Sequence, residues 1–137
     1  MPQLIKGGKW VYGWVIVGPK RELRIPPQAW QDYGFRVGEE AIIVPGSRRS
    51  GGFGLSTFRL LEPSFGRDPR QEWVLGKAQI DLLQRVILPP GLGTRPGDRL
   101  LAVRGSGLAL GFACRGPICE EAAKQRGLEE FGGYHDE

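Results

Sequence analysis

One unit is written twice in this chain, and that constrains its fold more than any other feature. The segment "GFRVGEEAIIVPGS" at 34–47 aligns with "GTRPGDRLLAVRGS" at 93–106 at a constant offset of 59. Gly34 falls on Gly93, Arg36 on Arg95, Gly38 on Gly97, Glu39 on Asp98, Val44 on Val103, Gly46 on Gly105 and Ser47 on Ser106. Upstream, Trp14-Val15 falls on Trp73-Val74 at the same offset. The proline pairs "RIPP" (24–27) and "ILPP" (87–90) stand 63 apart, so the second copy has four extra residues before its prolines and four fewer after. The two length changes cancel, and a chance match would not hold register on both sides. A single copy of about fifty residues is marginal as an independent domain. The two copies are therefore expected to share one core.

Each copy reads as strands and tight turns. "WVYGWVIVG" (10–18) is β-branched and aromatic, a strand by composition. "GPKRE" turns the chain, and "LRIP" alternates with Leu23 and Ile25 on one face. Pro27 suits the first turn of a short helix, 27–34, which Gly34 ends. "AIIVPG" is a buried strand, and "GFGLSTFRLL" (52–61) is read as its returning partner. In the second copy, 72–90 gives a hairpin or a strand and bulge, and "PGLG" replaces the helix with a turn. A turn and strand follow at 95–105, and the last strand at 107–114. A short amphipathic helix, interrupted by Gly127, is expected over 118–131, with a loose tail.

The order strand, strand, short helix at "IP", glycine–acid turn, strand, strand resembles the AbrB/MazE-type swapped-hairpin domain. The matching residues are Ile25-Pro26, Gly34-Phe35 and Gly38-Glu39 in copy one, and Arg85, Leu88-Pro89, Gly93 and Gly97-Asp98 in copy two. The resemblance spans roughly 10–61 and 72–115. It implies a mainly β chain, a duplicated swapped-hairpin (AbrB-like) barrel formed as an intrachain pseudo-dimer, with a short C-terminal helix. The corresponding segments are 1–61 for the first repeat, 62–71 for a linker, 72–117 for the second repeat, and 118–137 for the C-terminal helix and tail. Fusion makes assembly of the halves intramolecular. The MraZ branch of the family also carries tandem copies and builds rings, so a monomeric pseudo-dimer or a homo-oligomer is expected.

The resemblance implies a DNA-binding transcriptional regulator that contacts phosphates and bases through hairpin arginines. Carried over by position, Arg85 stands where the family has its hairpin arginine, four residues before Pro89. The first copy has Glu22 there, a departure for which Lys20, Arg21 and Arg24 on the same hairpin substitute. The short helix carries no base, and copy two lacks that helix. Arg48 and Arg49, in the glycine-rich "SRRSGG", read either as a loop reaching phosphates or as a soluble hairpin tip. The DNA-binding candidates are thus Lys20, Arg21, Arg24, Arg48, Arg49 and Arg85. Arg36 and Arg95 read as turn residues, and Trp10, Trp14, Trp30 and Trp73 as core. Glu39 and Asp98 read as residues that hold turn geometry.

Charge and composition bear on the function class. The net charge is +4, with a balance of −4 from Glu120 onward and so +8 over residues 1–119. A basic body with an acidic tail suits a polyanion partner. The alternative is a duplicated barrel acting as a protein- or ligand-binding module without DNA binding, with the acidic C-terminal helix facing a protein partner. A PDZ-like peptide binder is a third reading, but its glycine-rich loop would have to precede "RPGDRLLAVRG", and here it follows. No catalytic cluster appears, and the lone His135 sits near the terminus, so no enzyme, cofactor or metal is expected. Cys114 and Cys119 read as structural or incidental thiols. No apolar run approaches a membrane span and no signal peptide is visible, so a cytoplasmic protein without membrane contact is expected.

Overall fold

The computed structural model describes residues 3–5, 9–46, 51–65, 74–104, 108–125 and 127–132. Its elements are β1 (Gln3–Ile5), β2 (Lys9–Ile16), β3 (Glu22–Arg24), α1 (Pro27–Tyr33), β4 (Glu40–Pro45), β5 (Phe53–Thr57), α2 (Phe58–Phe65), β6 (Gly76–Gln79), β7 (Arg85–Ile87), β8 (Arg99–Arg104), β9 (Leu110–Ala113), α3 (Pro117–Lys124) and β10 (Glu130–Gly132). Seven strands form one curled half-barrel sheet in the order β1-β2-β8-β9-β5-β4-β6. β10 adds parallel to β2, while β3 and β7 pair as a separate ribbon.

The period-two alternation of the strands divides the sheet into two apolar faces. Ala41 and Ile43 of β4 and Leu100 and Ala102 of β8 point into the main core, with Phe53, Leu55, Leu110 and Phe112. Leu23, Ile25, Val86 and Leu88 of the ribbon segments close that core from the other side, with Ala29 and Tyr33 of α1. Ile42 and Val44 point outward under Leu61 of α2. Leu101 and Val11 point outward under Ala122, with Ile118 of α3 packed alongside. Both faces of the central strands are covered, which is why "AIIV" and "LLAV" are continuous apolar runs rather than alternating ones.

α1 starts on Pro27 and stops at Gly34, whose φ of 69° supplies the left-handed cap and whose N–H donates to the Trp30 carbonyl. The Tyr12 hydroxyl of β2 donates to Asp32 Oδ2 at 2.8 Å, pinning this helix to the sheet. Burial, and then the bond to Asp32, push the Tyr12 phenol well above its usual range. Burial alone would raise the Asp32 carboxyl, but the bonds from Tyr12 and Gln28 and the nearby Arg104 charge hold it below its ordinary value.

Three local expectations are corrected. The strand expected over 52–61 ends at Thr57 and becomes α2, because the Thr57 hydroxyl accepts the Leu60 N–H and caps a helix. The C-terminal helix ends at Lys124, and the segment beyond Gly127 forms β10 along β2. Trp10 is 46% exposed rather than core, while Trp14 is buried beneath the guanidinium of Arg99 at 4.2 Å. Trp73 lies outside the described residues.

Candidate nucleic-acid interface

The β3–β7 ribbon collects four of the six basic residues singled out by sequence. Its register is Glu22↔Ile87, Leu23↔Val86 and Arg24↔Arg85. Leu23, Val86, Ile25 and Leu88 turn inward. Alternation therefore directs Arg24 and Arg85, which stand directly opposite one another, to the outer face. Lys20 and Arg21 occupy the β2–β3 turn, and the Arg21 carbonyl accepts the Leu88 N–H at 2.9 Å, tying that turn to the far strand. Arg48 and Arg49 lie outside the described residues.

The two turns are built alike. In the first, Arg21 N–H donates to the Gly18 carbonyl, Gly18 N–H donates to the Glu22 carbonyl, and Arg21 adopts φ 61°. In the second, Gln84 N–H donates to the Asp81 carbonyl, Asp81 N–H donates to the Arg85 carbonyl, and Gln84 adopts φ 63°. Each turn also has an internal carboxylate. Glu22 Oε1 accepts the Lys20 N–H at 2.7 Å. Asp81 Oδ1 accepts the Leu83 N–H at 2.8 Å and the Arg85 N–H at 3.0 Å, while Oδ2 accepts Arg85 Nε at 3.1 Å.

The cations accordingly differ. Arg85 is held by Asp81. Lys20, Arg21 and Arg24 have no acidic partner among the described residues. Elsewhere arginines are committed within the fold: Arg59 grips Glu39 through two bonds of 2.6 and 2.7 Å, and Arg99 pairs with Glu130 at 2.7 Å. The expected turn role of Asp98 is seen in its bond from the Arg95 N–H at 2.8 Å, whereas Glu39 is held instead by Arg59 of α2.

Sequence reasoning missed an apolar flank beside these cations. Leu82 is 84% exposed, Leu83 54% and Ile87 51%, with Leu75 and Val37 also exposed. A hollow of about 350 Å³ lies there, lined by Val37, Gly38, Gln79, Ile80, Asp81 and Leu82. The signal was present in "DLLQ": two adjacent leucines at the tip of a tight turn cannot both reach the core.

Cys114 and Cys119 are free thiols, and burial pushes the Cys119 thiol up. Among the described residues no group of three or more His, Cys, Asp or Glu side chains is placed to hold a metal ion. No helix among them is long and apolar enough to cross a membrane. No protein-family model, curated protein or solved structure matches the chain.

Proposed function

We propose that this chain is a duplicated swapped-hairpin barrel, folded as an intrachain pseudo-dimer, that binds double-stranded DNA through the outer face of the β3–β7 ribbon as a regulator. The architectural half is supported by paired registers. Trp14↔Leu101 has a counterpart in Lys77↔Ile42, Gly13↔Ala102 in Gly76↔Ile43, and Ile16↔Arg99 in Gln79↔Glu40. First-strand positions are 63 apart and third-strand positions 59 apart, so each copy's first strand lies on the other copy's third. The offset of 63 is that of the prolines, and it makes Lys77, not Trp73, the counterpart of Trp14. Bonds follow the same rule: Ile25 N–H to the Gln84 carbonyl mirrors Leu88 N–H to the Arg21 carbonyl.

The observation that carries the functional half is the cross-strand pair Arg24–Arg85 with Lys20 and Arg21 on the adjoining turn. Like charges directly opposite one another destabilise an antiparallel pair. Asp81 relieves the Arg85 side of that repulsion, which leaves Arg24 and the turn cations Lys20 and Arg21 for an added anion, and a two-stranded ribbon is a shape the major groove admits. The second reading, a protein-binding module, is favoured by Leu82, Leu83 and Ile87, exposed on the same β6–β7 hairpin.

The test is fluorescence anisotropy against a random-duplex pool at rising salt, with sequencing of what stays bound. Each phosphate neutralised contributes about −0.9 to the slope of log K against log salt. The three cations without an acidic partner then give a slope of about −2.7, and R24A should remove about 0.9 of it. R85A should change sequence preference more than slope, since Asp81 already balances Arg85. Absence of enrichment, with slopes unchanged in both variants, would sink the DNA reading in favour of the protein-binding one.

A further inference from the structure

The β2–β3 turn, which carries Lys20 and Arg21, is held at both ends by the other half of the chain. At one end the Arg21 carbonyl accepts the Leu88 N–H at 2.9 Å. At the other, Gly97 N–H donates to the Val17 carbonyl at 2.7 Å, and Val17 N–H donates to the Asp98 carbonyl at 2.9 Å. The connection between these ties, residues 89–96, therefore begins and ends against the Lys20–Arg21 turn. The 81–84 turn is held in the same way. Ile25 N–H donates to the Gln84 carbonyl at one end, and Gly38 and Glu39 bond to Ile80 at the other. The connection there is 26–37, and it holds α1.

The two connections differ in charge. Residues 26–37 carry one acid, Asp32, and one base, Arg36. Residues 89–96 carry no acid and one base, Arg95. Arg95 is exposed. Its backbone N–H, not its side chain, bonds to Asp98 Oδ2 at 2.8 Å, and its guanidinium has no acidic partner among the described residues. Pro96 restricts the backbone of Arg95, so the fork is offered from a fixed base. Arg36 is exposed too, but the turn that its connection flanks is Asp81, Leu82, Leu83 and Gln84, with no cation.

We propose that Arg95 is a further phosphate-contacting residue, which the second half of the chain supplies, from off the ribbon itself, to the Lys20–Arg21 turn of the first. This rests on the DNA reading above and adds a residue to it. Three cations on adjoining segments, with no carboxylate paired to any of them, concentrate positive potential at one end of the ribbon. An arginine fork there matches a phosphate group in shape as well as charge.

The experiment is the salt dependence of duplex binding by the full chain, read by fluorescence anisotropy, for the wild type, R95A, R95K and R36A, with R24A as the reference. Four cations in place of three move the expected slope of log K against log salt from about −2.7 to about −3.6. R95A should return it to about −2.7, and R95K, which keeps the charge, should leave it near −3.6. R36A removes the same charge at the corresponding turn and should change the slope by less than half as much as R95A. Urea midpoints equal to that of the wild type show that each variant folds. If R24A lowers the slope while R95A does not, or if R95A and R36A lower it equally, the assignment of Arg95 is overturned and the ribbon keeps its role. If the wild type binds no duplex even at low salt, the DNA reading falls and the role of Arg95 falls with it.

Discussion

If the two halves share one core through the ribbon, Leu23 and Val86 should be energetically coupled. They are direct cross-strand partners and each is fully buried. Leu→Ala in a core costs about 2–5 kcal/mol, so L23A should cost about 3.5. V86A removes two carbon groups at about 0.8 kcal/mol each, plus a cavity cost, or about 2 kcal/mol. Each single variant loses the contact between the two side chains, so summing the singles counts that contact twice. The double variant should therefore be less destabilised than the sum, by about 1 kcal/mol, within the range measured for residues in contact. Neither single change should exhaust the roughly 5–15 kcal/mol of a normal domain. The assay is urea unfolding followed by tryptophan fluorescence, with one transition and an unchanged slope in every variant. L23A with L61A is the control: Leu61 packs in the outer cluster under α2, and that pair should add. Additivity of L23A and V86A to within about 0.3 kcal/mol, or two separate transitions, would refute a core shared across the ribbon.

Two further outcomes follow from local geometry. Asp32 is depressed in the fold, so its contribution is present above the ordinary carboxylate range and is lost as pH falls through the lower folded value. Tyr12 is raised, so its contribution is full below the usual phenol range and is lost as pH climbs above it. Y12F should cost about 1 kcal/mol near neutrality and flatten both limbs of a pH–stability curve measured by urea midpoint. Gly52 has φ +68°, and a Cβ there would stand 1.8 Å from the Phe112 carbonyl oxygen, forcing β5 from β9. Gly34 has the same backbone conformation, φ +69°, with open space around it. Thermal melts should therefore show G34A losing about 1–2 kcal/mol and G52A clearly more, the difference measuring the clash.

Much of the mainly β fold was legible because apolar runs, prolines and turn glycines carry local information. The helix over Pro27–Tyr33, the strand runs and the turn that replaces the helix in the second half all follow from such signals. What escaped depends on partners distant in sequence. "FRLL" is aromatic and apolar enough to extend a strand, and the Thr57 hydroxyl that caps it and the packing of Leu61 on Ile42 and Val44 favour a helix. "EEF" reads as a continuing helix until the outer edge of β2 offers it a place as β10. The Trp-Val match at 14–15 and 73–74 competes with the duplication proposed above, in which Lys77 corresponds to Trp14. Two identical residues are weaker evidence than strand register, and register is set by the facing strand. The basic residues of the ribbon were legible as a set, but their opposition at Arg24 and Arg85 was not, since it exists only across the interface of the two halves.

The ribbon's charges are arranged by a constraint that has nothing to do with ligand. Each turn presents a backbone N–H, on Lys20 in one and Leu83 in the other, that a carboxylate satisfies. In the first turn that acid stands at the end, as Glu22, where its side chain fills the space beside Gly18. In the second it stands at the start, as Asp81. In the duplication proposed above, Arg85 takes the position that corresponds to Glu22, and Asp81 steadies that arginine. The cost is asymmetry. In the same proposed duplication, Arg24 corresponds to Ile87 and Lys20 and Arg21 to Leu83 and Gln84, so the first half brings three cations to the ribbon and the second brings Arg85 alone. A duplex bound by such a face meets unequal halves, and sequences enriched from a random pool are expected to lack the palindromy a symmetric dimer would select.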